Sequence, residues 1–189
     1  INRQDQSVRT LIFPMKKDKE SLVSHWKKNA SEIAESVYSG KKVVYLTVGD
    51  PSLYSTWAYV FKEFKESFRD IEIEIIPGIT SIFSFAAEAK LSLAEGEQTV
   101  GIIPACYDIE RVRNTASTCD TVIFLKDGRY FGKVIRILPQ AGFGNDSMVT
   151  IAQDVSIDEQ SIKTSQLREL QDVTETGEKY FSIMVVKRK

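Results

Sequence analysis

The stretch Val43-Val44-Tyr45-Leu46-Thr47-Val48-Gly49-Asp50-Pro51-Ser52-Leu53-Tyr54-Ser55-Thr56 decides the fold class. Residues 43–48 form a continuous β-prone run of the kind buried on both faces of a parallel sheet. Gly49-Asp50-Pro51 cuts the run off, and Trp57, Ala58, Phe61, Phe64 and Phe68 then fall on one face of a helix over residues 54–68. Upstream, Leu22, Trp26, Ala30, Ile33 and Val37 recur at helical spacing and predict a helix over residues 18–39, with Asp18 as N-cap and Gly40 as left-handed stop. Before it, residues 11–13 read as the end of a strand stopped by Pro14. Downstream, Ile71-Glu72-Ile73-Glu74-Ile75 alternates strictly, as a strand with one wetter face does, and Pro77-Gly78 ends it. A helix is expected from Thr80 to Lys90. This β-α-β-α order implies right-handed crossovers and a parallel sheet.

Residues 93–98 turn small and polar around Gly96, which predicts a boundary between an N-terminal α/β domain, 1–96, and a C-terminal α/β domain, 97–189. The second half reads as strand 99–103, helix 108–117, strand 121–126, helix 130–138 and strands 148–154 and 180–187. A charged, weakly helical stretch lies between the last two. Crossovers this irregular predict a mixed sheet.

The 189 residues suffice for one large domain or two small ones. Apolar residues at 42% and charged residues at 27% are the balance of an ordinary globular protein. A net charge of −1, from 25 basic and 26 acidic residues, leaves no footprint for a phosphate backbone, so nucleic acid is not expected as a partner. Lys187-Arg188-Lys189 reads as a solvated tail. Cys106 and Cys119 have neither zinc nor CxxC spacing and fit a reducing, cytoplasmic setting. A single histidine, His25, argues against a histidine-rich metal site and reads as a surface or packing residue. No apolar run is long enough for a membrane span, and no leader pattern opens the sequence. The first residue is Ile1 rather than methionine, and natural sequence is expected to precede it.

In open α/β sheets, ligands bind beyond the carboxyl ends of strands. Two glycine turns are placed there, Gly49-Asp50-Pro51 and Pro77-Gly78. Gly49 lets a ligand approach bare backbone, Asp50 puts a carboxylate at the mouth, and Ser52, Ser55 and Thr56 offer hydroxyls for capping or binding. Taken singly, Gly-Asp-Pro is a common turn, and Thr80 and Ser81 are ordinary N-cap residues. Two such turns at the ends of successive strands should open into one crevice, a small-molecule site with no reaction attached. Trp57 and its neighbouring phenylalanines read as core, the cysteines as buried small apolar residues, and Asp108, Glu110 and Asp127 as solvated loop or helix-start charges.

The run 43–56, followed in order and at matching distances by Ile76-Pro77-Gly78-Ile79-Thr80-Ser81, Leu93, Gly96 and residues 100–105, resembles the tetrapyrrole methylase family, the class III S-adenosylmethionine-dependent methyltransferases. Phe13-Pro14-Met15, Trp26 and the Tyr54-Ser55-Thr56 extension are similar to the branch that methylates precorrin-2 or cobalt-factor II at C-20 in cobalamin biosynthesis. The resemblance covers nearly the whole chain. It implies a two-domain fold with a mainly parallel N-terminal sheet and a mixed C-terminal sheet, both flanked by helices. It further implies S-adenosylmethionine as methyl donor, with S-adenosylhomocysteine as product, a tetrapyrrole substrate and a homodimer.

By position, the resemblance places Val48, Gly49, Asp50, Thr80, Ser81, Lys126, Thr150 and Ser182 against the cofactor and Tyr54 and Ser55 against the substrate. Asp50 becomes the candidate catalytic group. The family's first strand, with its glycine- and proline-rich loop, has no counterpart in this sequence, which predicts an exposed sheet edge or a groove. The other readings are a sister enzyme acting on a different ring carbon, on diphthine or on ribosomal RNA, and a truncated non-catalytic homologue.

Overall fold

The computed structural model describes residues 6–14, 18–104, 106, 108–126, 128–170 and 181–189. Met15, Ala105 and Asp127, and residues 171–180 of the charged stretch, lie outside them. Chain contacts divide the molecule into two units, 1–79 and 80–189, earlier in the sequence than the change in composition around Gly96.

In the first unit, α1 (Lys19–Tyr38) starts at Asp18, whose side chain accepts from the Glu20 amide. Helix α2 (Trp57–Ser67) packs along it, with Ala30 and Ala34 of α1 buried against Val60 and Phe64 of α2. The small alanines let the helices approach, and the aromatic side chains fill the remaining space. Trp57, Phe68, Tyr45, Ile71 and Ile73 close the cluster from its sides. The Asn29 side chain donates 3.0 Å to the Ile12 carbonyl and moors the segment ahead of α1.

The expected N-terminal sheet does not form. Residues 11–13, 43–48 and 71–77 belong to no ladder, and no main-chain hydrogen bond joins 43–48 to 71–77 among the described residues. The alternation of side chains survives without the pairing. Tyr45 and Thr47 turn towards α2, while Val44, Leu46 and Val48 on the opposite face are 77%, 71% and 98% exposed. The run expected to be buried on both faces is therefore covered on one. Its composition supplies β-propensity, but a strand also needs a neighbour within hydrogen-bonding reach.

The second unit holds α3 (Ser81–Glu88), β1 (Val100–Ile103), α4 (Ile109–Ala116), β2 (Thr121–Leu125), α5 (Phe131–Ile137), β3 (Met148–Gln153), β4 (Ser161–Gln166), α6 (Leu167–Leu170) and β5 (Ser182–Lys187). The sheet order is β1-β2-β5-β3-β4. Only β1 and β2 run parallel, joined through α4, and the other neighbours are antiparallel. The sheet is mixed, as expected, and the chain is α/β. Strand β4 occupies part of the stretch read as weakly helical. Apart from Ile162 its residues are polar, and as the last strand of the sheet it needs few apolar side chains.

All five residues of β2 are buried. Phe124, Met184, Val149, Phe131 and Leu138 lie at the centre of the core. Arg188, expected in a solvated tail, instead donates to the carbonyls of Cys119 at 2.9 Å, Gly142 at 2.6 Å and Ala141 at 2.9 Å, with longer bonds to Ala116 and Ser117. Its guanidinium also lies 4.5 Å from the Phe143 ring centroid. A cation there satisfies carbonyls where α4 and the 3-10 turn after α5, Leu138–Ala141, end. The charge count of the last three residues carries no trace of this role.

Candidate functional site

The two glycine turns meet. Gly49 has a left-handed backbone, φ +77°, which lets the chain reverse directly after the extended run. A Cβ built on Gly78 would lie 2.3 Å from the Gly49 carbonyl oxygen, so only glycine permits this approach. Asp50 ties the turns together. Its Oδ1 accepts from the Ser52 amide at 2.8 Å and from the Ser52 hydroxyl, and its Oδ2 accepts from the Gly78 amide at 2.8 Å.

These donors hold the Asp50 carboxyl below the usual carboxylate range; the Ser52 hydroxyl contributes most, then the Gly78 and Ser52 amides. A carboxylate already accepting three hydrogen bonds is a weak proton acceptor. Asp50, the candidate catalytic group, thus already has both carboxylate oxygens engaged.

Beside the turns, Ser55 does local work. Its hydroxyl accepts from the Trp57 amide at 3.1 Å and pairs with Thr47 at 2.9 Å. The Thr56 hydroxyl pairs with the Tyr45 phenol at 2.9 Å, and burial raises the Tyr45 pKa more than this bond lowers it. These contacts seat α2 against residues 43–48. Tyr54 is half-exposed with φ +51°, an unusual conformation for a residue carrying a Cβ. Trp26 stacks flat on Tyr59, with centroids 4.1 Å apart, and Phe13 meets Tyr45 edge-on at 6.4 Å.

The remaining candidates belong to the second unit. Thr80 caps α3, its hydroxyl accepting from the Phe83 amide at 3.4 Å, and Ser81 is the first, exposed residue of the helix. Lys126, at φ +62°, follows β2, and its amide donates 3.2 Å to the Ser182 carbonyl. Lys126 and Ser182 thus meet at one end of the sheet, where Ser182 also pairs with Gln153. Thr150 lies further along β3, buried and paired through its hydroxyl with Thr164 at 3.0 Å.

The His25 Nδ1 donates locally at 2.7 Å to the Ser21 carbonyl, Asp108 caps α4, and both cysteines are free. A shallow recess of about 230 Å³, lined by Phe61, Phe68, Arg69, Ile71 and Ile73 among others, lies in the first unit and touches none of the candidate residues. Among the described residues no cluster of His, Cys, Asp and Glu could hold a metal, and no helix is long and apolar enough to cross a membrane. Sequence reasoning placed Asp50 at the mouth of the site but missed its bond to Gly78. A partner 28 residues away leaves no local signal.

An α/β chain with paired glycine turns and one mixed sheet matches a known class of small-molecule enzymes. The profile of the Tetrapyrrole (Corrin/Porphyrin) Methylases matches residues 2–171, and the chain belongs to this family. It is 31% identical over 183 residues to the probable cobalt-precorrin-2 C(20)-methyltransferase of Methanocaldococcus jannaschii, spanning 97% of this chain and 74% of that protein. The cobalt-precorrin-2 C(20)-methyltransferase of Salmonella typhimurium is 29% identical, over 74% of this chain and 57% of its own length. A cobalt-precorrin-4 C(11)-methyltransferase of Methanocaldococcus jannaschii is also 29% identical, over 82% of this chain and 62% of its own length. The same fold recurs in the crystal structure of a uroporphyrin-III C-methyltransferase from Thermus thermophilus complexed with S-adenosylhomocysteine, with TM-score 0.63, 14% identity and coverage of 90% of this chain and 74% of that one.

Proposed function

We propose that the chain is an S-adenosylmethionine-dependent C-methyltransferase of cobalamin biosynthesis, acting on precorrin-2 or cobalt-factor II at C-20. The observation that carries the C-20 reading is the match to a probable C(20)-methyltransferase across 97% of the chain. The cofactor fits the residues present. Gly49 and Gly78 carry no side chains at a point where two bends of main chain touch, and an ionised carboxylate, Asp50, stands between them. That negative charge complements a sulfonium.

When bound, the cofactor supplies a methyl group whose bond to sulfur breaks as a bond to the ring carbon forms, leaving the electron pair on sulfur. The leaving group is neutral and good, so the residues mainly need to bind, align and exclude water. In this reading Val48, Gly49, Asp50, Thr80, Ser81, Lys126, Thr150 and Ser182 line the cofactor, and Tyr54 and Ser55 face the macrocycle. The same reading takes the working form to be a cytoplasmic homodimer, which sedimentation of the purified protein tests.

A C-11 methyltransferase is the second reading, favoured by the 29% identity to such an enzyme over 162 residues. Incubation with precorrin-2, cobalt-factor II and cobalt-precorrin-4 separates the two. Methylation of a C-20 substrate, located by product mass and NMR, supports the proposal, and turnover of cobalt-precorrin-4 alone overturns it.

A further inference from the structure

Asp50 divides its carboxylate between two tasks. Oδ1 is used within its own turn by Ser52, while Oδ2 reaches across 28 residues to the Gly78 amide. No main-chain hydrogen bond joins the extended runs that lead into the two turns, among the described residues. The Asp50–Gly78 bond is thus the polar link that sets the spacing of the bends, and Gly78 lacks the Cβ that would force them apart.

We propose that Asp50 is a positioning residue: its carboxylate clasps the Pro77–Gly78 bend to the Gly49–Asp50 bend, so that both present their main chain to one ligand. The identity of that ligand rests on the cofactor reading above; the clasp does not. The bond lies at the surface and away from the α1–α2 cluster, so it adds little to global stability. Displacement of a ligand by about 1 Å, by contrast, can cost a hundredfold in rate. The geometry also explains why asparagine is a poor substitute. Its amide nitrogen cannot accept a hydrogen bond, so either the Ser52 donors or the Gly78 amide would lose a partner.

The test compares Asp50→Asn and Asp50→Ala with Ser52→Ala, which leaves the Oδ2–Gly78 bond in place, after melting curves show that all three fold. The first readout is the Gly78 amide proton by NMR, followed from about pH 7 down to about pH 2.5, through the ordinary aspartate range. In the parent and in Ser52→Ala it should lie downfield and move upfield as the carboxylate is protonated. In both Asp50 variants it should show neither feature. A Gly78 amide blind to Asp50 overturns the clasp, whether or not any ligand binds.

The second readout is calorimetry with S-adenosylhomocysteine, together with kcat and KM for the methyl donor. Losing one charge-assisted bond should weaken binding and raise KM by about tenfold or more in Asp50→Asn, with the shape of the kcat–pH profile retained. Unchanged KM, with kcat lost and the acid limb of the profile abolished, would make Asp50 a proton acceptor and overturn the positioning role. Parent protein that shows the Gly78 signature but binds no S-adenosylhomocysteine would keep the clasp and remove the cofactor reading, and with it the proposed role.

Discussion

Residues 43–48 in the first unit and Thr121–Leu125 in the second are similar apolar, β-branched runs, yet they end up in opposite states. The second is paired on both sides, parallel to β1 and antiparallel to β5, and is buried along its whole length. The first joins no ladder, with alternate side chains bare. Composition favours a strand in both. Neighbours decide whether that backbone becomes sheet, because each strand edge needs another chain to take up its N–H and C=O groups.

The contrast can be broken most forcefully by truncating side chains in each run. Phe124→Ala in β2 should cost roughly 3–5 kcal/mol in urea denaturation, whereas Leu46→Ala should change stability by less than about 0.5 kcal/mol. A large cost at Leu46 would mean that the bare face is covered. Next in size, Arg188→Ala should destabilise the second unit by about 2 kcal/mol, because a guanidinium bound to several carbonyls is lost. Arg188→Lys should not restore it, since an ammonium cannot span the same acceptors. Equal stability of Arg188→Ala and the parent would return the C-terminus to a solvated tail.

Amide exchange sharpens the comparison. Amides of β2 and β5 should exchange more than about a thousandfold slower than those of residues 43–48, and comparable protection would show that the first run has found a partner.

The smallest effect concerns Asp120, whose carboxylate accepts from the Thr99 amide at 2.8 Å and hydroxyl at 2.9 Å. These bonds, the amide first, lower its pKa. The stabilisation is therefore present above the ordinary aspartate range and fades as pH falls through the lowered value. Asp120→Asn should melt slightly below the parent near neutrality, and the gap should close in strong acid. A gap that widened with acid would reverse the assignment.

Much of the architecture was legible because it is written locally. Leu22, Trp26, Ala30 and Val37 announced α1, Asp108 announced the start of α4, and the irregular crossovers of the second half announced a mixed sheet. What escaped the sequence depends on partners far along the chain. Ladder pairing of residues 43–48 could not be judged from their composition. Arg188 looked like a tail until the carbonyls at the end of α4 were placed around it. At the candidate site, the glycine turns were visible as Gly-Asp-Pro and Pro-Gly, but the hydrogen bond that joins them was not. Nor is the pairing of the buried Thr150 hydroxyl with Thr164 visible in the sequence.

Titration of the isotope-labelled protein with S-adenosylhomocysteine tests whether the Gly49 and Gly78 bends form one ligand seat. The Gly49 and Gly78 amide signals should shift together and saturate at a single Kd. Shifts confined to the recess around Phe61 and Phe68, or no shifts at either glycine at saturating ligand, would contradict it.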